Sequence, residues 1–144
     1  MPRTDFRFAF PKRVRYAEVD AQAVVFNSRY LEYLDVGITE YWREVGVPHG
    51  GFEVHVVRSV VEYRKPLRND ELFDICLRVA RFGRSSMVTK WEIHGFGGDE
   101  DLRAEGETVA VHVDLKTHSS LAIPDAIVTL FENFERKPLR EGKA

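Results

Sequence analysis

Hydrophobic and polar positions change their period twice along the chain. From Lys12 to Tyr16 they alternate, KRVRY, with Val14 and Tyr16 on one face, which predicts a short strand. Beyond Asn27 the step becomes three and four. Tyr30, Leu31, Leu34, Ile38, Tyr41, Trp42 and Val45 recur on one side, while Arg29, Glu32, Thr39, Arg43 and Glu44 fall largely elsewhere. This is the pattern of an amphipathic helix. Asn27 or Ser28 has a side chain suited to accept the unpaired N–H groups of its first turn, and Gly46 followed by Pro48 ends it about five turns later. Gly37 stands in its interior, where Gly costs about 1 kcal/mol relative to Ala, so another backbone is expected to pack closely there.

After a loop over residues 48–52 the alternation returns and predicts four strands: VHVVRSVVEYRK, ELFDICLRVARF, SMVTKWEIHG and LRAEGETVAVHVDLK, separated by PLRND, GRS and FGGDED. Phe73, Ile75, Leu77 and Val79 share one face of the second, and Val109, Val111, Val113 and Leu115 one face of the fourth. Connections this short join antiparallel neighbours, so a meander is expected. Pro124 opens a short terminal helix carrying Ile127, Val128, Leu130, Phe131 and Phe134, suited to cover a sheet edge or face, and the charged tail EGKA is expected to fray. The fold class is α+β, an antiparallel sheet against one long helix. A sheet face with no helix of its own is expected to meet a second copy, as a continuous sheet or back to back.

The length, 144 residues, suits one domain over residues 1–144. With 44% hydrophobic and 31% charged residues and a net charge of -2, the chain has enough apolar content to fold and too little positive charge to bind nucleic acid by charge alone. A lone cysteine, Cys76, forms no internal disulfide; its mid-strand position reads as a small buried hydrophobe and not as a nucleophile. His49, His55, His94, His112 and His118 show no metal-ligand spacing, so no metal site is expected, and only His55 is positioned to line a cleft. There is no GxSxG elbow, no GxxxxGK phosphate loop and no apolar run long enough for a membrane span or signal peptide. Cytoplasmic residence is the simplest expectation.

The chemistry concentrates in RYAEVDAQAVVFNSRYLEYLD, residues 15–35. On its residues alone, Asp20 is either a turn residue or a carboxylate held opposite a helix N-terminus, whose unpaired N–H groups and dipole suit a carbonyl oxygen gaining negative charge. Tyr16, Asp20, Asn27, Tyr30, Leu31, Tyr33 and Leu34, with Asp35 where Glu is frequent, resemble the opening motif of hotdog-fold acyl-CoA thioesterases of the 4-hydroxybenzoyl-CoA thioesterase-like family. Ala23 stands where that family usually has Gly, Val24 where many members have His, and Ile38 where Arg is common.

The resemblance implies hydrolysis of a small, medium or aromatic acyl-CoA to free acid and CoA, without a cofactor, by a homodimer or homotetramer. It implies catalytic roles for Asp20 and Asn27, and substrate contacts from Val24, Val25, Phe26 and Tyr30 and from the loop Arg84, Ser85 and Ser86. Arg81 and Lys90 flank that loop, and Arg64, Lys65 and Arg68 flank the neighbouring turn, as candidates for the phosphates of CoA. Asp35 is the next acid to test, although it and Glu32 also read as surface residues. Two alternatives stand beside this reading: an acyl-thioester binding protein without catalysis, and a hotdog dehydratase, which is disfavoured because this stretch supplies no His.

Overall fold

The structure is a computed structural model. It describes residues 3–140; the EGKA tail lies outside the described residues. The elements follow the order β1 (Phe8–Arg13), α1 (Arg29–Val45), β2 (Val54–Tyr63), β3 (Leu72–Phe82), β4 (Ser86–Gly95), β5 (Leu102–His112) and α2 (Asp125–Glu135). The five strands form one antiparallel sheet in the order β1-β3-β4-β5-β2, and α1 lies against it over β1 and β3, the hotdog arrangement expected from the resemblance.

Three expectations need correction. The first strand lies earlier than KRVRY, at Phe8–Arg13, and Tyr16 begins a short 3₁₀ turn, Tyr16–Glu18. Val14 and Tyr16 therefore do not share a face: Val14 is buried, whereas Tyr16 is 83% exposed. Pro11 is tolerated in β1 because β1 is an edge strand, where one missing N–H disrupts no inner ladder.

The meander, secondly, holds only for β3, β4 and β5. β2 pairs with β5 at the far edge, so residues 64–71 cross three strand spacings, about 14 Å, which eight residues span easily. Leu67 is fully buried along this crossing, and its carbonyl accepts the N–H of Val25 at 2.9 Å.

Thirdly, the buried face of β5 is not the valine face. Ala104, Thr108 and Ala110 are the buried residues of the strand and Val109 and Val111 are half-buried on the opposite face, while Val113 and Leu115 lie beyond the strand, the first buried and the second exposed. The helix-facing side of β5 thus carries small side chains.

α1 buries Tyr30, Tyr33, Leu34, Gly37 and Tyr41. It ends at Gly46, whose left-handed φ of 99° lets its N–H turn back to the Trp42 carbonyl. The close approach expected at Gly37 is made by β3 side chains and not by backbone: a Cβ there would sit 2.7 Å from Ile75 Cγ2 and 3.0 Å from Leu77 Cδ1. Gly37→Val is therefore expected to lower stability by about 1–3 kcal/mol, seen as a lower denaturant midpoint at unchanged slope.

α2 starts one residue after Pro124 and packs Phe131 against Tyr41, Trp42 and Phe82, closing the end of the core near the C-terminus of α1. There the Tyr41 hydroxyl accepts the Val79 N–H, left over at a bulge in β3, and donates to the buried Glu135. Burial raises the Glu135 carboxyl above its usual range. Among the described residues, no helix is long and apolar enough to cross a membrane.

Candidate active site

The segment between β1 and α1 is held by a carboxylate that the sequence reading passed over. Glu18 is buried, and its Oε1 accepts the Arg15 N–H at 2.9 Å and the Tyr33 hydroxyl at 2.7 Å, while Oε2 accepts Arg15 Nε at 2.9 Å. Burial opposes its charge, but the Arg15 N–H, the Tyr33 hydroxyl and the Arg15 guanidinium outweigh that penalty and hold the carboxyl below its usual range. The same burial and the Glu18 charge push the Tyr33 hydroxyl up, so it stays protonated and donates. The Glu18 carbonyl accepts the Phe26 N–H at 3.0 Å, which sets the entry to α1.

On this anchor sits a tight turn. The Asp20 N–H donates to the Val24 carbonyl at 2.9 Å, the Ala23 N–H donates to the Asp20 carbonyl at 3.0 Å, and Asp20 Oδ1 accepts the Gln22 N–H at 2.8 Å. Asp20 is half-buried, and its Oδ2 has no hydrogen-bond partner among the described residues. Ala23 has φ of 66°, a left-handed backbone that favours Gly and costs an alanine about 1–2 kcal/mol. The Ala-for-Gly departure is thus a strained one. Ala23→Gly is expected to raise stability by about 0.5–1 kcal/mol after the added entropy of the unfolded chain is discounted, measurable as a higher denaturation midpoint.

α1 begins at Arg29, and the side-chain cap expected from Asn27 or Ser28 is absent. Instead the N–H groups of Arg29, Tyr30 and Leu31 turn back to the carbonyls of Phe26, Asn27 and Ser28. Among the described residues, the N–H groups of Asn27 and Ser28 themselves have no acceptor. They lie at the positive end of a 17-residue helix. The Tyr63 hydroxyl donates to the Asn27 carbonyl at 3.0 Å, fixing that peptide from the end of β2. A shallow groove of about 220 Å³ runs past Val24, Val25, Asn27, Tyr30 and Tyr63. Val25 and Tyr30 are buried in its wall, and Phe26 is exposed beside it. The structure therefore brings together Asp20, Val24, Val25, Phe26, Asn27 and Tyr30 in one short segment.

Arg84, Ser85 and Ser86 are elsewhere in the chain. Asn27 lies at the Tyr63 end of β2, whereas Ser86 pairs with Val111 and the Ser85 carbonyl accepts the His112 N–H, beside Val54 at the other end. Ten residues of strand, about 33 Å, separate the two ends. Of the basic candidates, Lys90 is tied to Glu107, Arg64 to Glu105 and Lys65 to Asp101. Among the described residues Arg68 and Arg84 form no ion pair.

At the Arg84 end, a cavity of about 630 Å³ opens between α1 and the sheet, with Trp42, Phe52 and Met87 in its walls and the exposed Asp35 at its rim. Glu32 pairs with Arg29 on the helix surface.

The remaining candidates fall into structural roles. Cys76 is 1% exposed, and burial pushes its thiol up to about 12, which leaves no thiolate at neutral pH. His94 is buried against Glu92 and accepts the Asp101 N–H, His112 bonds the Glu53 carbonyl, and His55 stacks near His118 at 5.8 Å. No group of three metal-ligating side chains occurs among the described residues.

Comparison with known proteins places the fold in a family. Residues 14–131 match the thioesterase-like superfamily. The acyl-CoA thioester hydrolase YbgC of Escherichia coli is 28% identical over 130 residues, covering 87% of this chain and 96% of that protein. A crystal structure of a protein from Pseudomonas aeruginosa strain PAO1 superposes with a TM-score of 0.81 at 27% identity, over 92% of this chain and 95% of that one. A Thermus thermophilus thioesterase solved with coenzyme A and Zn superposes with a TM-score of 0.82 at 22% identity, over 94% and 98%. With the match spanning the segment that carries Asp20, both helices' apolar faces up to Phe131 and strands β2 to β5, the chain belongs to the thioesterase-like superfamily.

Proposed function

We propose that the protein hydrolyses acyl-CoA thioesters. The observation that carries this reading is the unpaired pair of N–H groups at Asn27 and Ser28, at the head of α1, in the same segment as the half-engaged carboxylate of Asp20. A thioester carbonyl oxygen accepting from those N–H groups gains their stabilisation as it becomes an oxyanion, in the field of the helix dipole. Asp20 Oδ2, the oxygen not used by the turn, then either attacks the carbonyl carbon, expelling the CoA thiolate and leaving a mixed anhydride that water hydrolyses, or takes a proton from the attacking water and passes it to the departing sulfur. The thiol of CoA leaves, and the acid is released. The name of the Escherichia coli relative supports the substrate class.

The proposed working unit is at least a homodimer, built on β2. β2 is an edge strand with exposed Val56 and Val57 at 60% and 62%, a combination that a monomer rarely leaves open. Antiparallel pairing of two copies of β2 about a two-fold axis continues the sheet and reverses its ends. The Arg84–Ser86 hairpin of one copy then comes to the Asn27 end of the other, where CoA phosphates can meet an unpaired guanidinium. Residence in the cytoplasm, where acyl-CoA is found, belongs to the same reading.

The test is free-thiol release from a panel of short, long and aromatic acyl-CoAs, with the mass in solution measured by sedimentation. Hydrolysis by a species of twice the chain mass or more is the expected result. Binding of the panel without thiol release would instead identify an acyl-thioester binding protein.

A further inference from the structure

Hydroxyls stand in the sheet where a core would ordinarily be apolar. Val79, Thr89, Thr108 and Ser59 are in register across β3, β4, β5 and β2, on the face turned toward α1. Val79 is sealed in the core, Ser59 lies at the exposed edge, and Thr89 and Thr108 between them are 5% and 7% exposed. Both threonines line the 630 Å³ cavity. The cavity exists because α1 leans over β1 and β3, and because β5 presents small residues to the helix side.

Neither threonine hydroxyl makes a hydrogen bond among the described residues. Neither oxygen is among the sealed polar atoms that lack a partner, so both face the open space of the cavity, where valine of similar size would present only methyl groups. Two such hydroxyls side by side, opening into one cavity, mark a place where a hydrogen-bonding group is received. Trp42, Phe52 and Met87, with Ile38 and Val54, give the cavity an apolar wall that suits a carbon skeleton. A hydroxyl both donates and accepts, so the pair fits a neutral oxygen function of either kind; the charged side chains of the same cavity, Asp35 and Glu53 against Arg43, are of both signs.

We infer that Thr89 and Thr108 set acyl selectivity: the cavity takes an acyl group carrying a hydroxyl or keto oxygen, which these two side chains hydrogen-bond, in preference to the unsubstituted group. The inference rests on the acyl-thioester reading for the substrate and on the two-fold pairing of β2, which brings the cavity of one copy to the Asn27 end of its partner. It does not require that the thioester be cleaved.

The test is binding of octanoyl-CoA isosteres in which a methylene replaces the thioester sulfur, unsubstituted or with a hydroxyl at successive chain positions. For the wild type, the affinity ratio of hydroxylated to unsubstituted isostere is expected to reach about tenfold or more at one position. In Thr89→Val/Thr108→Val, with folding checked by its melting transition, that ratio falls to about one. Thr89→Ser and Thr108→Ser, which keep the hydroxyls, retain it and serve if the double variant does not fold.

A wild-type ratio within twofold of one at every position overturns the inference, as does a preference that survives in the folded valine variant. Thiol release from the matching thioesters, measured in parallel, separates the two readings. Preference without turnover removes the hydrolase reading alone, and turnover without preference removes this inference alone.

Discussion

Asp20→Asn is expected to reduce turnover of the best acyl-CoA substrate by about 100-fold to 1000-fold while leaving the fold intact. The isosteric amide can still accept the Gln22 N–H through its Oδ1, so the turn from Asp20 to Val24 closes as before. What it cannot do is act as a base or a carboxylate nucleophile through the oxygen that the turn leaves unused. Loss of kcat with unchanged melting temperature is the expected signature. Unchanged kcat in the folded variant would remove Asp20 from the mechanism and move attention to Asp35, at the rim of the larger cavity.

Glu18→Gln, a few residues earlier, should behave differently. Its carboxylate takes three hydrogen bonds, from Arg15 N–H, Arg15 Nε and Tyr33, at 3% side-chain exposure. Glutamine supplies one oxygen, and its amide nitrogen faces a guanidinium that can only donate. Breaking a buried, charge-assisted set of this kind costs about 2–4 kcal/mol. Because Phe26 hangs from the Glu18 carbonyl, the loss should lower both the denaturation midpoint and turnover.

The pH dependence gives a second reading of Glu18. The folded carboxyl lies below the unfolded value of 4.5, so its contribution to stability is present above pH 4.5 and is lost as the pH falls through the folded value. The variant should lack that part of the acid-induced loss. A midpoint equal to wild type at neutral pH would show that Glu18 does not hold the segment.

The sequence disclosed what depends on near neighbours. α1 was legible because its apolar residues repeat at helical spacing and Gly46 stops it, and β4 was legible end to end between two turns. β5 was misread on its faces because its valines lie on the outer side, and the face turned to the helix is marked only by small residues and a threonine. The place of β2 depends on a crossing that local spacing does not encode, since a short connection ordinarily means adjacent strands. Glu18 escaped notice for a related reason: its burial is set by Tyr33, fifteen positions away on the next element. The separation of Arg84 from Asn27 is likewise a property of the whole sheet.

The crossing of β2 also shapes how the chain comes to be folded. β2 is complete at Tyr63, but its partner β5 is complete only at His112, about 50 residues later, which at 5–20 residues per second is roughly 2–10 s of synthesis. Throughout that interval a nascent strand with five valines has no ladder to join. Arg58 and Glu62 interrupt the run, and such charges are what restrain an unpaired strand from pairing with other nascent chains. Exchanging Arg58 for an apolar residue would therefore be felt first on the ribosome, in yield of soluble chain, before it was felt in the finished protein.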